Sequence, residues 1–394
     1  MTWMEQELAA RQGTAMLRSL RTCHTVPEYP GYLRREEHSP PILNLSANDY
    51  LGLSRHPAIV SAMQAALYRE GAGAGASRLV TGNRPAYDEL ERAIAAWQNK
   101  EAALVFANGY MANTGVIPAV VGRDDAVFSD RLNHASIVDG IRLSRAKLVR
   151  YRHNDMEHLA ALLLEHRDRR RKLIVTDSIF SMDGDQAPLR RLALLKQEHG
   201  AMLMVDEAHS GGMYGRYGEG LCHELGIQDM VDIHLGTFSK AFGVYGAYIC
   251  GSRTLIDFLV NQARPLVYST ALPPSVLAGI AQALTLVRQE HGRRTRLRAA
   301  ARRFRAMLGK AGFQAGSGDS PIVPVVVGGN ETALRFSAML EERGIAAVAI
   351  RPPTVPEGTA RIRFTLSFAH TDKDLQDAAE RIREVGLELG VLTS

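Results

Sequence analysis

From Tyr87 to about residue 250 the chain alternates short, continuously apolar runs with amphipathic segments, and few folds accept that rhythm. Runs such as Leu173-Ile174-Val175 and Met202-Leu203-Met204-Val205 read as strands with both faces covered. The periodicity predicts strands over 102–106, 126–129, 148–151, 173–177, 202–206, 233–237 and 247–250. Helices are expected over 87–98, 111–121, 135–144, 156–168 and 189–198. Strands spaced by helices build a mostly parallel sheet, in which ligands sit outside the carboxyl ends of the strands.

Outside that stretch the rhythm changes. Residues 1–22 read as an amphipathic helix, 27–41 as a Pro-broken connection, and 57–69 as another helix. Residues 275–312 read as one long helix or two joined ones, followed by strands at 322–327, 346–350 and 362–366 and helices at 331–343 and 374–388. The expectation is an N-terminal helix and connection over 1–44, a large domain over 45–275 and a smaller α+β domain over 276–394. Gly71-Ala72-Gly73-Ala74-Gly75-Ala76-Ser77, with Arg78 as its anchor, reads as an active-site or subunit-contact loop.

Composition narrows the class. With 46% hydrophobic and 23% charged residues, the chain is that of an ordinary globular protein. Its first residues carry Glu5 and Glu7 without an apolar block, so no targeting segment is expected. No uncharged apolar run approaches the roughly 20 residues a membrane helix needs. Cys23, Cys222 and Cys250 are scattered, odd in number and without metal-ligand spacing, which points to a reducing cytoplasm and no metal. The net charge of +5 comes mostly from arginine, and Arg294, Arg298, Arg302 and Arg305 are read as a solvated helix face.

The chemistry-bearing residues fall at the ends of the expected strands. Asn108-Gly109-Tyr110 lies between strand and helix, where backbone N–H groups at a helix start can hold a phosphate. Asn133-His134 opens the next helix, Ser181 follows the strand that ends at Asp177, and Asp206-Glu207-Ala208-His209 ends another. Gly236-Thr237-Phe238-Ser239-Lys240-Ala241-Phe242-Gly243 closes the set with a lysine in a small-residue loop. A lysine for an imine, a carboxylate to keep a pyridine nitrogen protonated, a ring to stack and donors for a phosphate are what pyridoxal 5'-phosphate requires. Lys240, Asp206 and His134 supply the first three, and Thr237 and Ser239 offer hydroxyls for the phosphate.

With these residues assembled, the sequence resembles the α-oxoamine synthases, fold-type I pyridoxal phosphate enzymes that join an amino acid to an acyl thioester with loss of CO2. The resemblance runs through Asn48-Asp49-Tyr50-Leu51-Gly52-Leu53, Asn133-His134-Ala135-Ser136, Phe180-Ser181-Met182-Asp183-Gly184-Asp185, Asp206-Glu207-Ala208-His209 and Thr237-Phe238-Ser239-Lys240. Ile350-Arg351-Pro352-Pro353-Thr354-Val355-Pro356, with His153-Asn154-Asp155 and Tyr268-Ser269-Thr270, points to the branch that uses L-alanine and a pimeloyl thioester, carried on CoA or a carrier protein.

The resemblance implies catalytic roles for Lys240 as the Schiff-base lysine, Asp206 as the partner of the pyridine nitrogen and His134 as the stacking ring. It implies that His209 and Ser181 lie near the ring hydroxyl, and that Gly109, Tyr110 and Thr237 place the cofactor. Thr270 would reach the phosphate from the other subunit of a homodimer with shared active sites. Asn48 and Arg351 would hold the amino acid carboxylate, Thr354 would line the substrate pocket, and Arg18, or alternatively Arg21, would face the acyl substrate. Asn108 departs from the family's usual serine or threonine, and Ala247 from a common glycine.

The same residues admit other readings. Asp206-Glu207-Ala208-His209 also matches the acidic motif of DEAH-type helicases, but the phosphate loop those proteins need, G-x-x-x-x-G-K-[ST], does not occur. A sister synthase making another aminoketone differs only in substrate. A cofactor-binding subunit without catalysis sits poorly with an intact Lys240, Asp206 and His134, and a nucleic-acid role has only the basic charge behind it.

Overall fold

The computed structural model describes residues 2–393. The chain opens with α1 (Trp3–Gly13) and the short strands β1 (His24–Thr25), β2 (Tyr32–Arg34) and β3 (Ile42–Asn44). Then α2 (Pro57–Glu70) and α3 (Pro85–Trp97) lead into the alternation of β4 (Ala102–Phe106), α4 (Gly109–Val120), β5 (Ala126–Asp130), α5 (Ala135–Ser144) and β6 (Lys147–Tyr151). It continues through α6 (Met156–Glu165), β7 (Lys172–Asp177), α7 (Leu189–Glu198), β8 (Met202–Asp206), the one-turn α8 (Leu221–Glu224), β9 (Ile233–Thr237) and β10 (Ala247–Gly251). After α9 (Arg253–Gln262), the short α10 (Arg264–Val267), α11 (Pro274–Gln289) and α12 (His291–Lys310) come β11 (Ile322–Gly328), α13 (Asn330–Glu342), β12 (Ile345–Ala346), β13 (Val348–Ile350), β14 (Ala360–Thr365) and α14 (Asp372–Glu388).

Contacts divide the chain into two units. One comprises Met1–Gly52, Ser181–Asp185 and Thr295–Ser394; the other comprises Leu53–Phe180 and Gln186–Arg294. The second unit is built on a seven-stranded sheet in the order β4-β10-β9-β8-β7-β5-β6. Strands β6, β5, β7, β8 and β9 run parallel, and β10 is antiparallel to both β9 and β4. Each of these strands but β6 is buried nearly throughout, which is why apolar runs without alternation encode them. Leu104, Phe106, Val116, Ile117, Val127, Ile137 and Ile141 pack α4 and α5 onto the sheet with 0–2% exposure. Burying such a side chain contributes about 1.5–3 kcal/mol, so this layer fixes where the helix N-termini emerge.

Some expectations fail for physical reasons. The N-terminal helix stops at Gly13 rather than running to 22: Ala15 is left-handed at φ 55°, and the Arg351 guanidinium takes the Ala15 carbonyl. Residues 346–350 do not form one strand, because β12 pairs with β3 whereas β13 pairs with β14. The expected boundary at 275 falls at the start of α11, which packs along α2 in the sheet-bearing unit, and the division lies at Arg294. Residues 1–44 are not a separate region but cluster with the C-terminal segment. Helix α9 was not foreseen.

The expected solvated face of α12 holds for Arg302, which is exposed, but not for all four arginines. Arg294 and Arg305 are buried at 4% and 6% exposure. Arg294 donates to the Arg216 carbonyl at 2.8 Å, Arg305 to the Ser320 carbonyl at 2.7 Å, and Arg298 and Arg302 share Asp319 at 2.9 and 3.0 Å. Arg78 likewise turns inward, paired with Glu91 at 2.6 Å and lying 3.9 Å over the Tyr87 ring. Among the described residues no helix is long and apolar enough to cross a membrane.

The smaller unit carries a built-in acid sensitivity. His370 is buried, its Nδ1 accepts the Ser367 N–H at 3.1 Å and its Nε2 donates to the Asn44 carbonyl at 3.1 Å. That pairing needs the neutral ring, and burial lowers the His370 pKa to about 4. A folded-state pKa below the unfolded value near 6.5 contributes stability that is complete above about pH 6.5 and is lost as pH falls toward 4, on the order of 3 kcal/mol in all. Urea unfolding across that range should show this loss, and His370→Gln should flatten it. A wild-type profile already flat between about pH 6.5 and 4 would contradict the assignment.

Candidate functional site

The sheet brings several polar side chains to the carboxyl ends of its parallel strands. In register, Asp177 at the end of β7 stands opposite Asp206 at the end of β8. Asp206 is 4% exposed; its Oδ1 accepts the Ala208 N–H at 2.9 Å and its Oδ2 accepts Asn113 Nδ2 at 2.9 Å. Asp177 Oδ2 accepts the backbone N–H of His134 at 2.8 Å. Burial, and the Asp206 charge beside it, push the Asp177 pKa well above the usual carboxylate range. Lys240 and the His134 N–H act in the opposite direction without cancelling that effect.

His134 is the N-cap of α5, and its imidazole takes the place a serine or aspartate side chain usually fills. Its Nδ1 accepts the Ser136 N–H at 3.2 Å and lies 2.7 Å from Ser136 Oγ. His134 keeps exposed surface, yet the protein around the ring still desolvates it and lowers its pKa. Lys240 lowers it further, while Asp206 and Asp139 pull the other way. The same interactions place Lys240, half-buried in the turn after β9, within electrostatic reach of both His134 and Asp177.

The lysine turn is shaped by two glycines. A Cβ on Gly236 would fall 2.3 Å from the Tyr248 ring, and one on Gly243, at φ +66°, would fall 2.3 Å from Ser54 N. Thr237 Oγ1 donates to the Gly246 carbonyl at 2.9 Å, so Ser239 Oγ, 2.8 Å away, donates to Thr237. As placed, the Thr237 proton stabilises the turn and is not offered to a ligand. His209 is buried at 5% exposure. Glu207 is buried in its own network: His234, the Cys222 N–H and Ser210 hold its pKa below the usual range against the opposing effect of burial.

At the start of α4, Asn108 Oδ1 accepts the Met111 N–H at 2.9 Å, and its Nδ2 donates to Tyr245 at 2.9 Å. The cap satisfies the third helical amide, and the first two, on Gly109 and Tyr110, point out of the helix end without an intrahelical partner. A Cβ on Gly109 would meet nothing within 4 Å, so that end is open to an anion. The Tyr110 hydroxyl donates to Asp139 Oδ2 at 2.5 Å. Thr270 is exposed and bridges to Ser77 at the end of the small-residue loop.

The remaining expected residues belong to the other unit and fall into two groups. Asn48 Oδ1 accepts from Arg363 Nη2 at 3.2 Å, and Arg363 Nε donates to the Ser181 carbonyl at 2.5 Å. Arg351 is not Asn48's partner here: it donates to the carbonyls of Ala15 and Leu17, the latter at 3.3 Å. The arginine that joins Asn48 and Ser181 is Arg363, which the sequence reading missed. Around Arg351 a cavity of about 490 Å³ is lined by Arg18, Arg21, Arg35, Ile350 and Thr354 among others. Arg21 and Arg35 share the single carboxylate of Glu341 at 2.6 and 2.9 Å, whereas Arg18 donates to Thr354 Oγ1 at 3.1 Å and meets no carboxylate among the described residues.

The donor set of the sheet-bearing unit fits pyridoxal phosphate. It offers a primary amine, a buried carboxylate with a free lone pair on each oxygen, an imidazole and an open helix N-terminus. Comparison with known proteins agrees in kind. The aminotransferase class I and II family profile matches residues 40–382. The chain is 53% identical over 354 residues to a putative 8-amino-7-oxononanoate synthase of Geobacillus kaustophilus (strain HTA426), covering 90% of this chain and 91% of that one. It is 57% identical over 329 residues to an 8-amino-7-oxononanoate synthase of Anaeromyxobacter dehalogenans, covering 84% and 82%.

Among solved structures, serine palmitoyltransferase from S. paucimobilis with bound PLP–myriocin aldimine superposes with a TM-score of 0.93 at 30% identity, over 99% of this chain and 98% of that one. An 8-amino-7-oxononanoate synthase from Francisella tularensis superposes at 0.78 with 28% identity, over 89% and 99%.

Proposed function

We infer that this chain, which belongs to the aminotransferase class I and II family and to its α-oxoamine synthase branch, is a pyridoxal phosphate-dependent acyltransferase. It joins L-alanine to a pimeloyl thioester and gives 8-amino-7-oxononanoate, CO2 and free thiol, a step of biotin biosynthesis. The reading rests on the meeting of Asp206, His134 and Lys240 at one sheet edge, in a chain more than half identical to synthases of that name. Measuring that product from alanine and pimeloyl-CoA tests it.

Bound pyridoxal phosphate supplies an electron sink for negative charge at the substrate Cα. Lys240 Nζ would hold the cofactor, and the same amine would be the base that takes the Cα proton and the acid that returns one. Asp206 would keep a proton on the cofactor's ring nitrogen, and His134 would stack its ring against it. The open amides of Gly109 and Tyr110 would receive the phosphate, Thr237 shapes the lysine turn, and the ring hydroxyl would be the partner of His209, the role proposed for Ser181 as well. Thr270 serves the neighbouring site of a homodimer. The exposed Leu79, Val80 and Tyr268 flanking the Ser77–Thr270 bridge support that reading, since such a surface suits burial against a second copy.

Arg363 with Asn48 holds the alanine carboxylate, which selects the bond to be broken. Arg351 anchors the N-terminal segment, so that Arg18, rather than Arg21, which is tied to Glu341, would offer its charge to the far carboxylate of the pimeloyl chain, beside Thr354. The two arginines therefore separate kinetically. Arg363→Lys, which keeps charge but not the fork geometry, is expected to raise the KM for alanine about tenfold or more. Arg351→Lys is expected to raise the KM for the pimeloyl thioester and not that for alanine. Steady-state kinetics in each substrate decide it, and the reverse pattern would return the carboxylate to Arg351.

A further inference from the structure

We propose that Asn113 and Ser136 are positioning residues that tie the carboxylate of Asp206 to the ring of His134 and fix that ring as the Nε2–H tautomer. Both are buried at 1% exposure, Asn113 on α4 and Ser136 on α5. Asn113 Nδ2 donates one hydrogen to Asp206 Oδ2 and the other to Ser136 Oγ, each at 2.9 Å. The hydroxyl proton of Ser136 is then left for His134 Nδ1, 2.7 Å away. A second contact settles the direction: the Ser136 backbone N–H also meets Nδ1, at 3.2 Å, and an N–H only donates. Nδ1 is an acceptor, so the ring proton is on Nε2.

The orientation of the Asn113 amide follows from the same partners. Turned over, it would aim its carbonyl oxygen at a carboxylate. In the orientation present, Asn113 Oδ1 is buried without a hydrogen-bond partner, a cost the fold accepts to keep both amide hydrogens in use. Four titratable groups face His134: Asp206 at the end of β8, Lys240 after β9, Asp139 on α5 and Asp177, which accepts its N–H. A protonated ring among them would compete with a cofactor nitrogen for the charge of Asp206. The relay keeps the ring neutral and its plane set, and leaves that charge to the cofactor.

The proposal rests on the cofactor reading above, but its test does not need the cofactor. Histidine 15N signals of the full chain without cofactor, with His134→Gln to assign the peak, should show His134 as Nε2–H. Asn113→Leu and Ser136→Ala should each shift it toward mixed tautomers. In the loaded enzyme each should lower kcat about ten- to hundredfold with the KM for alanine changed far less. The double variant should be no slower than Asn113→Leu alone, because the two act in series.

A protonated or Nδ1–H ring in the wild type overturns the proposal, as do variants that lose activity with an unchanged His134 signal, or additive losses in the double. If Asn113→Leu does not fold, Ser136→Ala decides on the same signal. Failure of the cofactor reading alone would leave the tautomer result standing, so the two failures can be told apart.

Discussion

Lys240→Ala is expected to lower turnover by at least about 10³-fold, because in the proposed role one amine would both hold the cofactor and move the Cα proton. The loss has a spectroscopic companion. Without the ε-amine the cofactor has no covalent link to the chain, so the visible absorbance of the lysine-bound form disappears and the cofactor dialyses away more readily. The turn itself should survive, since its shape comes from Gly236, Gly243 and the Thr237–Gly246 bond. A folded Lys240→Ala protein with turnover within about tenfold of wild type would contradict the role, since proton transfer alone is worth about 10²–10⁴.

Asp206→Asn is the second large effect. The substitution is nearly isosteric and removes the negative charge that, in the proposed role, would keep the cofactor's ring nitrogen protonated, so kcat should fall about 10²–10³-fold while cofactor stays bound. Its neighbour provides the contrast. Asp177 stands opposite in register, and burial with the adjacent Asp206 charge already pushes its pKa well up. Asp177→Asn therefore removes a charge that burial and the neighbouring Asp206 already disfavour, and should cost far less kcat than Asp206→Asn, about threefold at most. Equal losses in the two variants, measured side by side with cofactor content, would mean that the charge of Asp206 is not what matters.

Legibility in the sequence follows the range of the interactions. Strands 202–206 and 233–237 and helices 135–144 and 189–198 fall where periodicity puts them, because continuous burial or one apolar face is written locally. The sheet edge that gathers Asp206 and His134 follows from that alternation, since each strand end is followed by a polar residue at a loop. What failed depends on distant partners. Arg361 and Arg363 alternate with apolar residues on β14, yet both are buried, at 4% and 7% exposure, by Asp183, Ser181 and Asn48, which alternation does not announce.

Arg363 and Asn48 are 315 positions apart, and no local pattern announces that pairing. For the same reason Arg351 stands out by its Arg-Pro-Pro context although its own hydrogen bonds run to Ala15 and Leu17. Arg294 and Arg305 looked solvated because helical spacing shows which face a residue takes but not what covers it. The Asn113–Ser136 relay combines neighbours on two helices whose relation exists only once α4 and α5 pack together.

The most direct measurement supplies the purified, cofactor-loaded chain with carboxyl-labelled L-alanine and pimeloyl-CoA, and follows labelled CO2 and the condensed product by mass spectrometry. The same assay is run with glycine, serine and palmitoyl-CoA as rivals. The account predicts 8-amino-7-oxononanoate and one labelled CO2 for each product formed, with alanine and the pimeloyl thioester far ahead of every other pair. Preferential condensation of serine with palmitoyl-CoA, or product formed with the labelled carboxyl retained, would contradict it.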